Sequence, residues 1–104
     1  MIIVLFKADL REDANREDYQ ATLRHMRELV QQIPGFISVK RFVADDGESF
    51  TLARFASEEA LEAWRTQPEH LEAQRKGREH FYNSGWAQVY TLLRESQFQR
   101  QETA

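Results

Sequence analysis

The stretch that decides the reading is Phe36-Ile37-Ser38-Val39-Lys40-Arg41-Phe42-Val43, then Ala44-Asp45-Asp46-Gly47, then Glu48-Ser49-Phe50-Thr51-Leu52-Ala53-Arg54-Phe55. Both arms are rich in β-branched and aromatic residues, which favours strands. Asp45-Asp46-Gly47 between them is a turn, because Asp-Gly suits the positive φ of tight hairpins. The spacing therefore predicts strands over 36–43 and 48–55, joined as a hairpin in the middle of the chain.

Working outward on the N-terminal side, Tyr19, Leu23, Met26, Val30 and Ile33 recur at alternating four- and three-residue spacing and make one apolar helical stripe. Asn15 is its expected N-cap, and Pro34-Gly35 ends it. Asp9 to Ala14 is polar and reads as a loop; Ile2 to Ala8 reads as a first strand. On the C-terminal side, Ser57-Glu58-Glu59 opens a second helix whose buried edge is Ala60, Leu61 and Trp64. Pro68 starts a further helical piece running to about Tyr82, and Asn83-Ser84-Gly85 stops it. Trp86 to Arg94 is the last strand. The order strand, helix, strand, strand, helix, strand is the split βαβ pattern of an α+β, ferredoxin-like domain: a four-stranded antiparallel sheet with its helices on one face. One domain is expected over residues 1–95, followed by a polar tail over 96–104.

Helices on one face leave the other bare, and a bare face should be polar at every second residue. These strands are not. Ile2, Val4 and Phe6 oppose Ile3 and Leu5; Trp86, Tyr90 and Leu92 oppose Ala87, Val89 and Leu93; Phe36 and Phe42 oppose Ile37, Val39 and Val43. An apolar second face is larger than monomers normally expose. A second copy packed sheet to sheet with two-fold symmetry would cover it, so a homodimer is expected; a covering tail is the alternative, and only nine polar residues follow Glu95.

The chain has 104 residues, a net charge of -3 and a pI near 5.6. It lacks the basic surplus that would neutralise a phosphate backbone, so nucleic acid is not an expected partner. There are no cysteines, which excludes disulfides and thiol chemistry. The apolar start, Met1 to Ala8, is too short for a membrane span or signal peptide, so a soluble cytoplasmic protein with no membrane partner is expected. No phosphate-binding glycine loop, dinucleotide fingerprint, nucleophile elbow or metal-spaced histidine pair is present, and no metal is expected.

The piece from Pro68 to Tyr82 has no purely apolar stripe. His70, Gln74, Gly77 and Phe81 share one face, and Leu71, Arg75, Arg78 and Tyr82 the neighbouring one. Gly77 costs such a helix about 1 kcal/mol relative to alanine. Either this helix lines a cavity, or it is a loosely packed surface helix. His70 is the candidate for proton transfer, since imidazole titrates near neutrality; the alternative is an ordinary surface histidine. Trp64 either walls a flat aromatic ligand or is a core tryptophan, and Trp86 and Tyr90 carry the same ambiguity. Lys7 and Arg54, charges within apolar strands, either bind an anionic or phenolate group or reach to the sheet edge.

Three stretches resemble the antibiotic biosynthesis monooxygenase family: Glu59-Ala60-Leu61-Glu62-Ala63-Trp64, Pro68 to Arg78 (PEHLEAQRKGR), and Phe81-Tyr82. Pro34-Gly35-Phe36 and Gln88-Val89 add to the likeness, which runs from about Ile2 to Glu95. The resemblance implies a dimeric α+β barrel. Some members oxygenate aromatic polyketides or hydroquinones with O2 and neither metal nor flavin, and others bind and degrade haem. In the haem-degrading branch an asparagine near the end of strand one, a tryptophan and a helical histidine line the site. Trp64 matches the tryptophan, Lys7 stands at the asparagine's place, and Gln74, or Ala73 with a one-residue shift, at the histidine's. Haem degradation here would need His70 as substitute ligand. The cofactor-free route implies His70 as base, Trp64 as wall of the ring, and Gln74 or Tyr90 as donor to oxygen, with Lys7, Arg54, Phe81 and Tyr90 around a small aromatic substrate. A non-catalytic module binding a small ligand, haem included, is the alternative.

Overall fold

A computed structural model of the protein describes residues 1–101. The elements follow as β1 (Ile2–Leu10), α1 (Arg16–Val30), β2 (Phe36–Val43), β3 (Ser49–Phe55), α2 (Glu58–Arg65), α3 (Pro68–Lys76), a π turn (Gly77–Phe81) and β4 (Tyr82–Thr91). The four strands form one antiparallel sheet in the order β2-β3-β1-β4, the ferredoxin-like arrangement the split βαβ order predicts. No helix among the described residues is long and apolar enough to cross a membrane.

The local signals act as the residues dictate. Asn15 accepts a hydrogen bond from the Asp18 N–H (3.0 Å) and caps α1, and Ser57 accepts from the Ala60 N–H (3.1 Å) and caps α2. The hairpin closes with Gly47 at φ 89°, its N–H donating to the Ala44 carbonyl (2.9 Å). Helix α1 stops at Val30, earlier than the stripe to Ile33 predicts. The chain tightens through i→i+3 bonds from Gln32 to Leu29 and from Ile33 to Val30 ahead of Pro34. Gly35 then turns out at φ 90°, and a Cβ there would sit 2.8 Å from the Cβ of Ala60.

Two polar segments expected as irregular prove to be strand. β1 continues through Asp9 and Leu10, and β4 begins at Tyr82, because the two ends pair: Ala8 opposite Gly85, Asp9 opposite Ser84, Leu10 opposite Tyr82 across a bulge. Ser84 donates to the Asp9 carboxylate at 2.8 Å. Asn83-Ser84-Gly85 is thus not a helix stop but the first part of the last strand, and that strand ends at Thr91, not Arg94. Residues 96–101 carry no helix or strand, and the rest of the expected tail, 102–104, lies outside the described residues.

β2 corrects one pairing of faces. Its register with β3 shifts between Phe36 and Ser38, so Ile37 is bulged out and the alternation changes phase. Phe36 meets Phe55 on the helix side (ring centroids 5.8 Å apart), whereas Phe42, opposite Phe50, lies on the outer side. The buried core is Ile2, Val30, Phe55, Ala60 and Leu61, with Val4, Phe36, Ala53 and Trp64 packed on it. It occupies one end of the sheet. At the other end, helices and sheet enclose space.

Candidate active site

A cavity of about 1030 Å³ separates the inner face of the sheet from α1 and α3, of the size that takes a small organic ligand. Val4 and Phe6 of β1 form its floor, Tyr19, Leu23 and Met26 of α1 one wall, and Trp64, His70 and Gln74 another. The apolar stripe of α1 is therefore only half-buried, because part of it faces this cavity. A smaller hollow of about 450 Å³ lies beside Arg11 and Lys76, whose charges are already engaged by Asp13 and Asp18 (each 2.7 Å).

The chemistry gathers at the start of α3. Gln67 caps that helix, its side-chain oxygen accepting from the His70 N–H at 2.8 Å. The His70 ring stacks on the Trp64 indole, centroids 3.9 Å apart and 16° from parallel. His70 Nδ1 stands 2.9 Å from the Trp64 carbonyl oxygen. A carbonyl only accepts, so Nδ1 carries the proton, and Nε2 is left with a free lone pair on a ring that lines the cavity. Burial lowers the His70 pKa below the ordinary imidazole value, and the bond to the Trp64 carbonyl partly offsets this. The site thus holds a neutral, oriented imidazole against a flat aromatic wall.

The depressed pKa also bears on stability. Unfolded His70 binds a proton more readily than folded His70, so stability rises with pH between the lowered native pKa and about 6.5. Its contribution is complete above that window and is lost as the pH falls through it. The melting temperature of the native protein is expected to fall on acidification from pH 7 towards 5, more steeply than that of a His70→Asn variant. Parallel slopes in thermal unfolding followed by circular dichroism would sink this account.

Of the other residues singled out from sequence, Gln74 lines the cavity one turn beyond His70, and Phe81, 2% exposed, packs edge-on against Tyr19 at 5.3 Å. Lys7 lies opposite Trp86 on the outer face and borders the cavity, its ammonium held by Asp9 (3.0 Å) and Glu48 (3.6 Å). Arg54 and Tyr90 stand apart from this group. Both are cross-strand partners of Ile3, and alternation puts them on the face the helices leave bare.

Sequence reasoning passed over Tyr82. Reading 68–82 as one regular helix places it beside Leu71, Arg75 and Arg78. The π turn adds a residue to the last turn and carries Tyr82 into β4 with its ring over the cavity. The available signal was Gly77: a Cβ there would lie 2.8 Å from Cε2 of Tyr82. Gly77 itself has ordinary helical angles, φ -59° and ψ -50°, so Gly77→Ala adds no backbone strain. Alanine's helix propensity favours the variant by about 1 kcal/mol, but the clash with Tyr82 costs about 1–3 kcal/mol. The net cost, up to about 2 kcal/mol, is expected to lower the melting temperature by about 4–8 °C for each kcal/mol, and a rise would show that the Tyr82 ring yields freely.

Haem offers a test of fit. Positions 73 and 74 on the cavity wall are Ala and Gln, so neither supplies an axial ligand. His70, stacked on Trp64, is the imidazole on that wall, and its Nε2 is free to ligate iron while the Trp64 carbonyl holds Nδ1. Among the described residues no group of three or more His, Cys, Asp or Glu could hold a metal ion. Haem therefore fits only with His70 as its axial ligand, not through positions 73 or 74.

The fold and site define a ferredoxin-like α+β protein with an aromatic cavity between sheet and helices. Residues 1–76 match the family described as antibiotic biosynthesis monooxygenase, and the chain belongs to that family. It is 33% identical over 85 residues to the uncharacterized protein YqjZ of Bacillus subtilis, covering 82% of this chain and 75% of that one. Among solved structures it is similar to SnoaB, a cofactor-independent oxygenase from Streptomyces nogalater, with a TM-score of 0.71 and 11% identity over 90% of this chain and 94% of that one. It is also similar to a dimeric ferredoxin-like protein of unknown function from Jannaschia sp. CCS1, with a TM-score of 0.73 and 14% identity over 88% and 98% of the two chains. At these identities the structural likenesses establish the fold.

Proposed function

We propose that this protein is a cofactor-independent monooxygenase that oxidises a small aromatic, hydroquinone- or polyketide-like substrate with O2. The observation that carries this reading is the stacked His70–Trp64 pair, with its fixed tautomer, on the wall of an aromatic cavity. Membership of the family and the likeness to SnoaB support it.

In this reading His70 Nε2 removes the proton of an acidic C–H or O–H on the substrate. The resulting anion gives one electron to O2, and the substrate radical and superoxide combine to form a C–O bond. The imidazolium returns its proton to the outer peroxide oxygen, which leaves with a second substrate proton as water, while the carbon becomes a carbonyl. Overall, one ring methylene and one dioxygen molecule give one carbonyl and one water. All electrons come from the substrate, so no external reductant is needed. The Trp64 carbonyl holds the imidazole tautomer, and the indole face beneath the ring favours the imidazolium as it forms. The apolar part of the lining, Val4, Phe6, Leu23, Met26 and Trp64, shields the radical pair from water, and Gln74 donates to the developing oxyanion.

The test is oxygen uptake by purified, metal-free protein with a panel of anthrones and hydroquinones, against autoxidation blanks. Uptake above the blank supports the reading. No uptake with any substrate, together with a Soret shift on adding haem, would replace oxygenation with ligand binding.

We also propose that the protein is a homodimer joined through the outer face of the sheet. Ile3, Leu5, Leu52, Phe50, Phe42 and Trp86 share that face, and Phe42 and Trp86 are 49% and 41% exposed in the single chain.

A further inference from the structure

Resting on the reading of the cavity as an aromatic-ligand site, we propose that Tyr82 and Tyr19 form its second polar pole. Their phenols donate hydrogen bonds to a ligand oxygen at the end of the ring system remote from His70.

Both rings line the cavity and meet edge to face, centroids 5.8 Å apart at 87°. Their other aromatic neighbours, Phe6 and Phe81, carry no hydroxyl. Both residues are half-buried beside the cavity, where packing on Phe6 and Phe81 alone would be served as well by phenylalanine. The Tyr82 hydroxyl is protonated at neutral pH, as any ordinary phenol is; burial first, and the neighbouring Tyr19 phenol second, raise its pKa further.

Placement separates this pair from His70. Trp64 packs on the core around Ile2 and Phe55, whereas the Tyr82 ring meets Phe6, about 13 Å further along β1. Along α3, Gly77, which lies against the Tyr82 ring, is about 10 Å beyond His70. A fused aromatic system laid along α3 would therefore meet an acceptor nitrogen at one end and two phenol donors at the other.

The arrangement is also fixed. Only glycine at 77 leaves room for the Tyr82 ring. The π turn ends with the Tyr82 N–H donating to the Gly77 carbonyl. It is held from outside by the Arg11 N–H on the Phe81 carbonyl (2.8 Å) and the Arg11 guanidinium on the Glu79 carbonyl (3.1 Å).

The experiment is anaerobic calorimetric titration of the full chain with 1-naphthol and with 1,4-dihydroxynaphthalene, which differ by one remote oxygen. The native protein is expected to bind the diol about tenfold more tightly, roughly fivefold beyond the diol's twofold symmetry advantage. In Tyr82→Phe the ratio of the two affinities is expected to fall to about twofold; Tyr19→Phe should lower it in part. No excess preference in the native protein, or an undiminished one in Tyr82→Phe, overturns the inference. Failure of both ligands to bind overturns it together with the reading of the cavity. If Tyr82→Phe does not fold, an undiminished preference in Tyr19→Phe overturns it. A preference that behaves as expected, with no oxygen uptake by any substrate, removes the oxygenase reading and leaves this inference standing.

Discussion

His70→Ala is expected to lower oxygen uptake by about 100-fold or more, with little change in KM. The cap of α3 is where the cause lies. Gln67 fixes the His70 backbone, the Trp64 carbonyl fixes Nδ1, and the indole fixes the plane of the ring, so Nε2 has a single direction in which to act. Alanine removes the base and leaves Trp64, the sheet floor and most of the substrate contacts in place, so the loss falls on kcat. The pH profile separates a base from a packing residue. Because burial lowers the His70 pKa, the acid limb of kcat/KM should lie below the ordinary imidazole value of about 6.5, and the variant should lose that limb. Added imidazole should restore part of the rate. An unchanged rate, or the same acid limb in His70→Ala, would remove His70 from the mechanism and leave Trp64 as a wall without a base.

The parts of this molecule that were legible in sequence are those whose cause is local. The hairpin over 36–55, the cap at Asn15, the cap at Ser57 and the start at Pro68 each depend on a few adjacent residues, and each is where the pattern put it. The errors share a different origin. Asp9 and Asn83-Ser84-Gly85 are polar and turn-prone taken singly, and become strand because each end supplies the other's partner across the sheet. The bulge at Ile37 changes which face Phe42 occupies, and nothing within β2 announces it. The site divides in the same way. His70, Gln74 and Phe81 were linked by helical spacing, which survives as far as Lys76. Tyr82 was hidden by the π turn, whose one added residue no periodicity reveals. Arg54 and Tyr90 were unusual charges and phenols in strands, but strand alternation yields two faces without saying which one the helices cover.

Leu5→Asp is expected to convert the dimer to monomers at micromolar concentration. Leu5 lies at the centre of the sheet, between Leu52 of β3 and Gln88 of β4, on the face no helix covers. In a two-fold, sheet-to-sheet dimer each apolar side chain is buried twice, contributing about 1.5–3 kcal/mol per large residue. The substitution removes two such burials and places two carboxylates in the same layer, where Lys7 and Arg54 of that face offset their desolvation only in part. Together these weaken association by at least about 10³-fold. In the monomer the same carboxylate faces water and costs little, so the fold should persist, with an unchanged far-ultraviolet circular dichroism spectrum. Val89→Asp is the matched control. Val89 pairs with Val4 on the helix side of the same sheet and is 56% exposed, so a charge there should leave the dimer intact. Sedimentation velocity reads all three proteins. A native protein that sediments as a monomer, or a Leu5→Asp variant that stays dimeric, would mean that the outer face is not the interface. The aromatic layer of Phe42, Phe50 and Trp86 would then need another cover. If only Leu5→Asp dissociates, its oxygen uptake shows whether the cavity works alone. The residues assigned to the cavity come from α1, α2, α3 and the inner face of a single chain, so unchanged ligand affinity in a well-folded monomer would show that the second copy adds nothing to the site.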